Sequence, residues 1–224
     1  PQLLLDRQRL DAVLDRRAET ARRLISQGNV TLGDAAKIED EASMDALILK
    51  ALDGEDLGEL LDIGTGGARM LRLLGDQSTR AVGIDISRPM LMLARSNLHA
   101  AGLDHLMVRH GNMYQLRFSD DTFDTVTIDQ VLFQAAEPGN VLGEAARVLK
   151  PGGRLLLVEF VTDDNMGLWE NANEDITVID EQHLAAWLAD AGLKQMNSRR
   201  LPGHPFPVIL SLARKNKLEK EAVA

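Results

Sequence analysis

The sequence predicts an α/β fold: a doubly wound, mostly parallel seven-stranded sheet with an antiparallel C-terminal edge, preceded by an N-terminal helical extension. Three observations point there. From Glu59 onward, short apolar runs alternate with helices of about ten to fifteen residues, the pattern of βαβ units. The first run, Glu59 to Ile63, breaks into the glycine-rich turn Gly64-Thr65-Gly66-Gly67, and a helix follows at once. The last two runs, Lys194 to Arg200 and Val208 to Ala213, are joined by a short connection carrying Pro202, Pro205 and Pro207. Such a connection implies an antiparallel pair at the edge of an otherwise parallel sheet.

In order along the chain, residues 2–27 form an amphipathic helix with Leu3, Leu10, Val13, Leu14, Ala18, Ala21, Leu24 and Ile25 at helical spacing. Gly28 and Asn29 end it. A second helix spans about Asp34 to Leu52, and the run Asp53-Gly54-Glu55-Asp56 breaks it. The apolar stripe of the first helix needs a partner surface, so residues 1–55 are expected to cover the mouth of a site or to pair two copies as a homodimer. The strand candidates are Glu59 to Ile63, Arg80 to Ile84, Leu106 to Arg109, Phe123 to Ile128 and Arg154 to Phe160, with the closing pair after them. Ser87 is a good N-cap and Pro89 follows it, ahead of the apolar face Met90, Leu91, Ala94 and Leu98. The helix from about Val141 to Leu149 stops at Lys150-Pro151-Gly152-Gly153, a turn that feeds the most apolar strand. Asp180 caps another helix, whose Leu184, Trp187, Leu188 and Ala191 share one face before Gly192. The expected division is a helical extension over 1–55, a ligand-binding domain over 56–215, and a solvated basic tail over 216–224.

Composition narrows the chemistry. At 224 residues the chain is long enough for a core without staples, burying roughly 70% of its unfolded surface. Cysteine is absent, which excludes disulfides, thiolate metal sites and a cysteine nucleophile. Lys+Arg number 25 against 34 Asp+Glu, and the net charge of -9 disfavours non-specific nucleic-acid binding by this chain alone. The longest apolar runs fall far short of the ~20 residues of a membrane helix, and no signal peptide opens the chain, so a cytoplasmic location without membrane contact is expected. His99 and His105 have no companions at metal-ligand spacing, and no metal is expected. The chain opens at Pro1 and not Met, as expected of a processed chain or a piece of a longer one.

The turn after the first strand presents backbone N–H groups and the positive end of a helix to a ligand. Counting from Gly64, a dinucleotide fingerprint would need a third glycine where Arg69 stands, and no Gly-Lys-Ser/Thr follows for a phosphate loop. Two acids make the turn more specific. Asp62 stands two residues before the first glycine, and Asp85, 23 residues later, ends the next strand in Val82-Gly83-Ile84-Asp85. At the carboxyl edge of a neighbouring strand, Asp85 can accept two hydrogen bonds from ribose hydroxyls. Asp62 close to the turn favours a ligand with a cationic end over one with phosphates. A ribose joined to an ammonium and a sulfonium, as in S-adenosylmethionine, meets both demands.

Four segments in order, Leu60-Leu61-Asp62-Ile63-Gly64-Thr65-Gly66, Val82-Gly83-Ile84-Asp85-Ile86-Ser87, Phe123-Asp124-Thr125-Val126 and Arg147-Val148-Leu149-Lys150-Pro151-Gly152-Gly153-Arg154-Leu155, resemble the signature of class I S-adenosylmethionine-dependent methyltransferases, in the ubiquinone/menaquinone methyltransferase-like branch. The resemblance covers about residues 58–214. It implies a Rossmann-like fold, S-adenosylmethionine as cofactor and methyl transfer to a small molecule. More narrowly, the leading Arg/Asp-rich helix, Asp129-Gln130-Val131-Leu132 and the final Val208 to Arg214 are similar to methyltransferase domains fused behind arsenic-repressor-type winged-helix regulators. In such a fusion a DNA-binding domain would precede Pro1. The lack of cysteine speaks against arsenite as the methyl acceptor.

The expected cofactor contacts are Asp62, Gly64, Thr65, Gly66, Asp85, Ile86, Asn112, Met113, Asp129 and Gln130. The resemblance implies that Ile86 and Met113 sandwich the adenine. Asn112 stands where the family commonly has the acid that accepts from the adenine amine, and its side-chain carbonyl can still accept. The turn also departs from the family in having Ala68 where a glycine is usual, which shifts the expected loop path. Met113 could equally be plain core, and His110, at the same edge, a surface residue. Asp129, ending the fourth strand, is the candidate general base for an acceptor that loses a proton; the alternative is that it caps the segment Gln130 to Ala135. Resembling sequences carry histidine at the positions of Asp129 and Phe133, so a different acceptor is expected, or a non-catalytic module that senses S-adenosylmethionine or S-adenosylhomocysteine. Trp169, within Thr162 to Val178, belongs to a lid over the substrate or merely anchors a surface loop.

Overall fold

Alternating strands and helices along the chain assemble into one sheet with helices on both faces. The computed structural model describes residues 41–52, 54, 56–161, 179–202 and 207–217. The expected first helix at 2–27, the start of the second, the Trp169 segment and the tail from 218 lie outside the described residues. The elements are α1 (Glu41–Leu52), β1 (Glu59–Ile63), α2 (Arg69–Leu74), β2 (Arg80–Asp85), α3 (Arg88–Ala100), β3 (Met107–His110), β4 (Phe123–Asp129), α4 (Pro138–Val148), β5 (Leu149–Phe160), α5 (Glu181–Asp190), β6 (Leu193–Leu201) and β7 (Val208–Lys215). The caps read from the sequence are formed: Ser87 Oγ accepts from the Met90 N–H, and Asp180 Oδ1 accepts from the His183 N–H at 2.7 Å.

The strand order is β3-β2-β1-β4-β5-β7-β6. The chain winds outward from β1 in one direction through β2 and β3, then returns to β4 on its other side, so the topological switch point lies between β1 and β4. β1 pairs in parallel with both neighbours, and Asp62 stands opposite Gly83 on β2 and Thr127 on β4. The antiparallel end differs in one respect from a hairpin added at the edge. β7 inserts between β5 and β6, antiparallel to both, so β6 is the outer strand and runs with the parallel set. A second difference is at Lys150 to Gly153, expected as a turn. β5 begins at Leu149, and these residues bulge within it between the pairs Phe123–Leu149 and Thr125–Arg154. Gly152, at φ 82°, supplies the left-handed backbone that the irregularity needs.

Strands covered on both faces explain the near-continuous apolar runs: Leu155, Leu156, Leu157 and Val158 are all buried. α1 joins the same core through Met44, Ile48 and Leu52, spaced four residues apart on one face of the helix. The helix is thereby fixed against the sheet, and its next residue after Met44, Asp45, reaches the carboxyl edge of the strands.

Candidate functional site

β1 delivers the glycine turn to the carboxyl edge at the switch point. Gly64 has φ 71°, and a Cβ there would stand 2.4 Å from Val131 Cγ2, so the first glycine is required both by backbone and by the β4 loop packed against it. Gly66, at φ 49°, has nothing nearer than the Gly64 carbonyl oxygen at 3.9 Å from its notional Cβ, so its backbone is open to a ligand. The turn closes on Ala68, whose N–H donates to the Thr65 carbonyl at 2.7 Å. Ala68 itself sits at φ 66°, the conformation that explains why glycine is usual there and that a methyl group strains by roughly 1–2 kcal/mol.

Asp85 is tied to this turn. Its Oδ2 accepts from the Gly66 N–H at 2.9 Å and its Oδ1 from the Ser87 N–H at 2.7 Å. Ile86, next to it, is 67% exposed, an unusual condition for a large apolar side chain beside a buried strand. The register opposes Asp85 to His110, and the Gly111 N–H donates to the Asp85 carbonyl, which brings Asn112 and Met113 to the same edge. Asn112 is exposed, with its Oδ1 accepting from the Tyr114 N–H at 3.0 Å, and Met113 is half-buried against the core.

Asp62 lies beneath the turn. Its Oδ1 accepts from the Thr127 hydroxyl at 2.7 Å, across the β1–β4 pair. Its Oδ2 and the Thr65 hydroxyl oxygen are buried with no hydrogen-bond partner among the described residues. Burial pushes the Asp62 carboxyl up to about 7; the Thr65 and Thr127 hydroxyls nearby pull the other way, although only Thr127 completes a hydrogen bond to it. A buried, half-satisfied carboxyl is costly to the fold and leaves an acceptor open to a donor or a cation.

Asp129 ends β4 facing α2. Its Oδ2 accepts from Arg69 Nε at 2.9 Å and its Oδ1 from Gln130 Nε2 at 3.3 Å. Arg69 also pairs through Nη1 with Asp45 of α1, so one guanidinium joins the helix to the sheet edge. Gln130 adopts φ 55°, a strained backbone for a residue with a side chain, and its N–H donates to the Val158 carbonyl at 2.7 Å. The alternative of Asp129 as a helix cap is corrected. The short 3-10 turn Leu132–Gln134 has no side-chain cap, and the N–H groups of Val131 and Leu132 go to Glu159 Oε2 at 3.0 and 2.7 Å. Phe133, for its part, is buried edge-to-face on Phe160 at 5.8 Å between centroids.

Sequence reasoning passed over Glu159, Asp45 and the positive role of Arg69. Glu159 is fully buried at the end of β5, where its Oε1 also accepts from the Phe160 N–H at 2.8 Å. Its signal was present, as a charged residue closing the most apolar strand. Burial, reinforced by the charge of Asp129, pushes its carboxyl up to about 8 despite three backbone N–H donors. A cleft of about 600 Å³ opens at the opposite, amino edge, between Asp124, Lys150, Gly152 and Arg154, and holds none of the expected site residues.

Residues 61–157 match the family described as a methyltransferase domain. The chain is 32% identical over 168 residues to a demethylmenaquinone methyltransferase of Clavibacter sepedonicus, covering 63% of this chain and 68% of that one. Another demethylmenaquinone methyltransferase, of Paenarthrobacter aurescens, is 29% identical over 184 residues, at 70% of each chain. Among solved structures, a SAM-dependent methyltransferase of Methanosarcina mazei superposes with TM-score 0.65 at 23% identity, over 76% of this chain and 97% of that one. The [4+2]-cyclase SpnF superposes with TM-score 0.67 at 22% identity, over 78% of this chain and 80% of that one. The structural likenesses establish the fold alone, since a cyclase shares it. The sequence likeness goes further, speaking to the methyltransferases and not to a fused winged-helix regulator. With its four ordered motifs, glycine turn and paired acids, the chain belongs to the class I S-adenosylmethionine-dependent methyltransferases.

Proposed function

We propose that the protein transfers the methyl group of S-adenosylmethionine to a small-molecule acceptor at the carboxyl edge of β1, β2 and β4. One observation carries the reading: the Asp85 carboxylate is held against the Gly66 amide of the glycine turn. Each of its oxygens accepts one backbone N–H and keeps a lone pair for a ribose hydroxyl. The other contacts fit. Asp62 Oδ2, buried without a partner, suits the ammonium end, and a cation beside it would favour the ionised carboxyl over the neutral one. The exposed Ile86 and half-buried Met113 offer apolar contact to the adenine, and Asn112 Oδ1 has a lone pair left for its amine.

When bound, the donor supplies a methyl group already activated by its sulfonium. The chain's residues then have to hold the donor, align the acceptor and exclude water, so no obligatory proton-transfer residue follows. Asp129 is the carboxylate best placed to take a proton from an acceptor that loses one. Demethylmenaquinone, from the names of the relatives, is the first acceptor to assay.

Titration calorimetry tests the donor. S-adenosylmethionine and S-adenosylhomocysteine should bind and NADH should not. Asp85→Ala should weaken binding by about 1.5–3 kcal/mol, the scale of hydrogen bonds to a charged group. Unchanged affinity in a folded Asp85→Ala variant removes Asp85 from the site, and a wild type that binds neither ligand overturns the reading.

A further inference from the structure

Four charged groups from four elements meet at the transfer edge: Asp45 on α1, Asp62 on β1, Arg69 at the start of α2 and Asp129 at the end of β4. They share one field. The charge of Asp129 raises the Asp62 carboxyl and that of Arg69 lowers it, across the end of the sheet. Arg69 and Asp129 are only 21% and 12% exposed at their side chains, so water screens them poorly. Without Arg69, Asp45 and Asp129, joined by Asp62 as far as it is ionised, would leave the edge negative.

S-adenosylmethionine and S-adenosylhomocysteine differ by one methyl group and one positive charge at sulfur. A site's preference between them therefore reads the local charge. We propose that Arg69, by pairing with Asp129 and Asp45, offsets the carboxylate charge at the transfer edge and thereby sets the discrimination between donor and product. The inference rests on S-adenosylmethionine being the donor. Its physical sense lies in differential binding. A strongly negative edge would stabilise the cationic sulfur before transfer more than during it, when the charge leaves that atom, and so would raise the barrier. Arg69 is then a positioning residue that acts through Asp129, and it keeps the donor from being held too tightly.

The test is the ratio of the two affinities by calorimetry, in wild type, Arg69→Gln, Arg69→Lys and Asp129→Asn. Arg69→Gln should shift the ratio toward S-adenosylmethionine by about 5- to 30-fold, the effect of one poorly screened unit charge. Asp129→Asn should shift it the other way by a similar factor, and Arg69→Lys, which keeps the charge but not both of the guanidinium's contacts, should shift it less than Arg69→Gln does. If Arg69 were only a structural link between α1 and the sheet, both affinities would fall together. An unmoved ratio in variants that bind both ligands overturns the inference and leaves the proposed function standing. Should Arg69→Gln fail to fold, an unmoved ratio in Asp129→Asn overturns it just as well. A wild type that binds neither ligand overturns the proposed function, and the inference with it.

Discussion

Glu159 is surrounded by apolar residues on β5 and gives both carboxyl oxygens to backbone N–H groups, two of them in the loop that follows β4. Its carboxyl, pushed up to about 8 by burial, has a consequence for stability. An unfolded glutamate ionises near its ordinary value of 4.5, so between there and about 8 the folded protein holds a proton that the unfolded chain has released. More protons bound in the folded state means that stability falls as pH rises through that window, and levels off above it. Asp62, raised to about 7, adds to the same slope over the lower part of the window. Glu159→Gln removes one contribution. Urea midpoints at pH 5 and pH 8 should therefore differ less in the variant than in wild type, and an equal or larger difference would show that Glu159 is ionised throughout. The same residue also explains why Asp129 is free of capping and can face Arg69: the loop's N–H groups are already satisfied from the neighbouring strand.

Elements were legible wherever their cause was local. The glycine turn, the caps at Ser87 and Asp180 and the apolar parallel strands follow from residues within a few positions of one another, and all of them form. What could not be read depended on residues far apart. The insertion of β7 between β5 and β6 is a choice of sheet partner, and two strands joined by a short loop look alike in sequence whichever of them lies outside. Asp45 and Arg69 are 24 residues apart, and their pairing needs α1 docked on the sheet first. Docking rests on Met44, Ile48 and Leu52, of which Ile48 is completely buried. Ile48→Ala should cost about 2–5 kcal/mol, the range for deleting a large buried aliphatic side chain, while Ala46→Ser, on the exposed face of the same helix, should stay within about 0.5 kcal/mol. Denaturant unfolding of the two variants decides it. Near-equal midpoints would mean that α1 does not belong to the cooperative core.

At the scale of the whole molecule, the site has no existence apart from the assembled sheet. Its pieces come from the ends of β1, β2 and β4, the loop after β3, and the helices α1 and α2, and they span the chain from Asp45 to Gln130. None of these segments alone presents both the proposed ribose acceptor and the buried carboxyl beneath the turn, so the unfolded chain is expected to have no comparable affinity for the proposed donor. Binding to the folded state alone stabilises it by mass action, about 2.7 kcal/mol at a ligand concentration 100 times Kd. For a chain of 224 residues each kcal/mol moves the melting temperature by about 2–4 °C, which gives an expected rise of roughly 5–10 °C. Differential scanning fluorimetry with S-adenosylmethionine, S-adenosylhomocysteine and NADH measures it. The first two should raise Tm and the third should leave it in place, because the turn lacks the third glycine of a dinucleotide fingerprint, Arg69 standing in its place. In Asp85→Ala the rise should shrink at fixed ligand concentration while the ligand-free Tm changes less, since the loss is of binding. An equal rise with NADH would assign the turn to nucleotides in general, and the reading of Asp62 as the partner of the donor's ammonium end would fall with it.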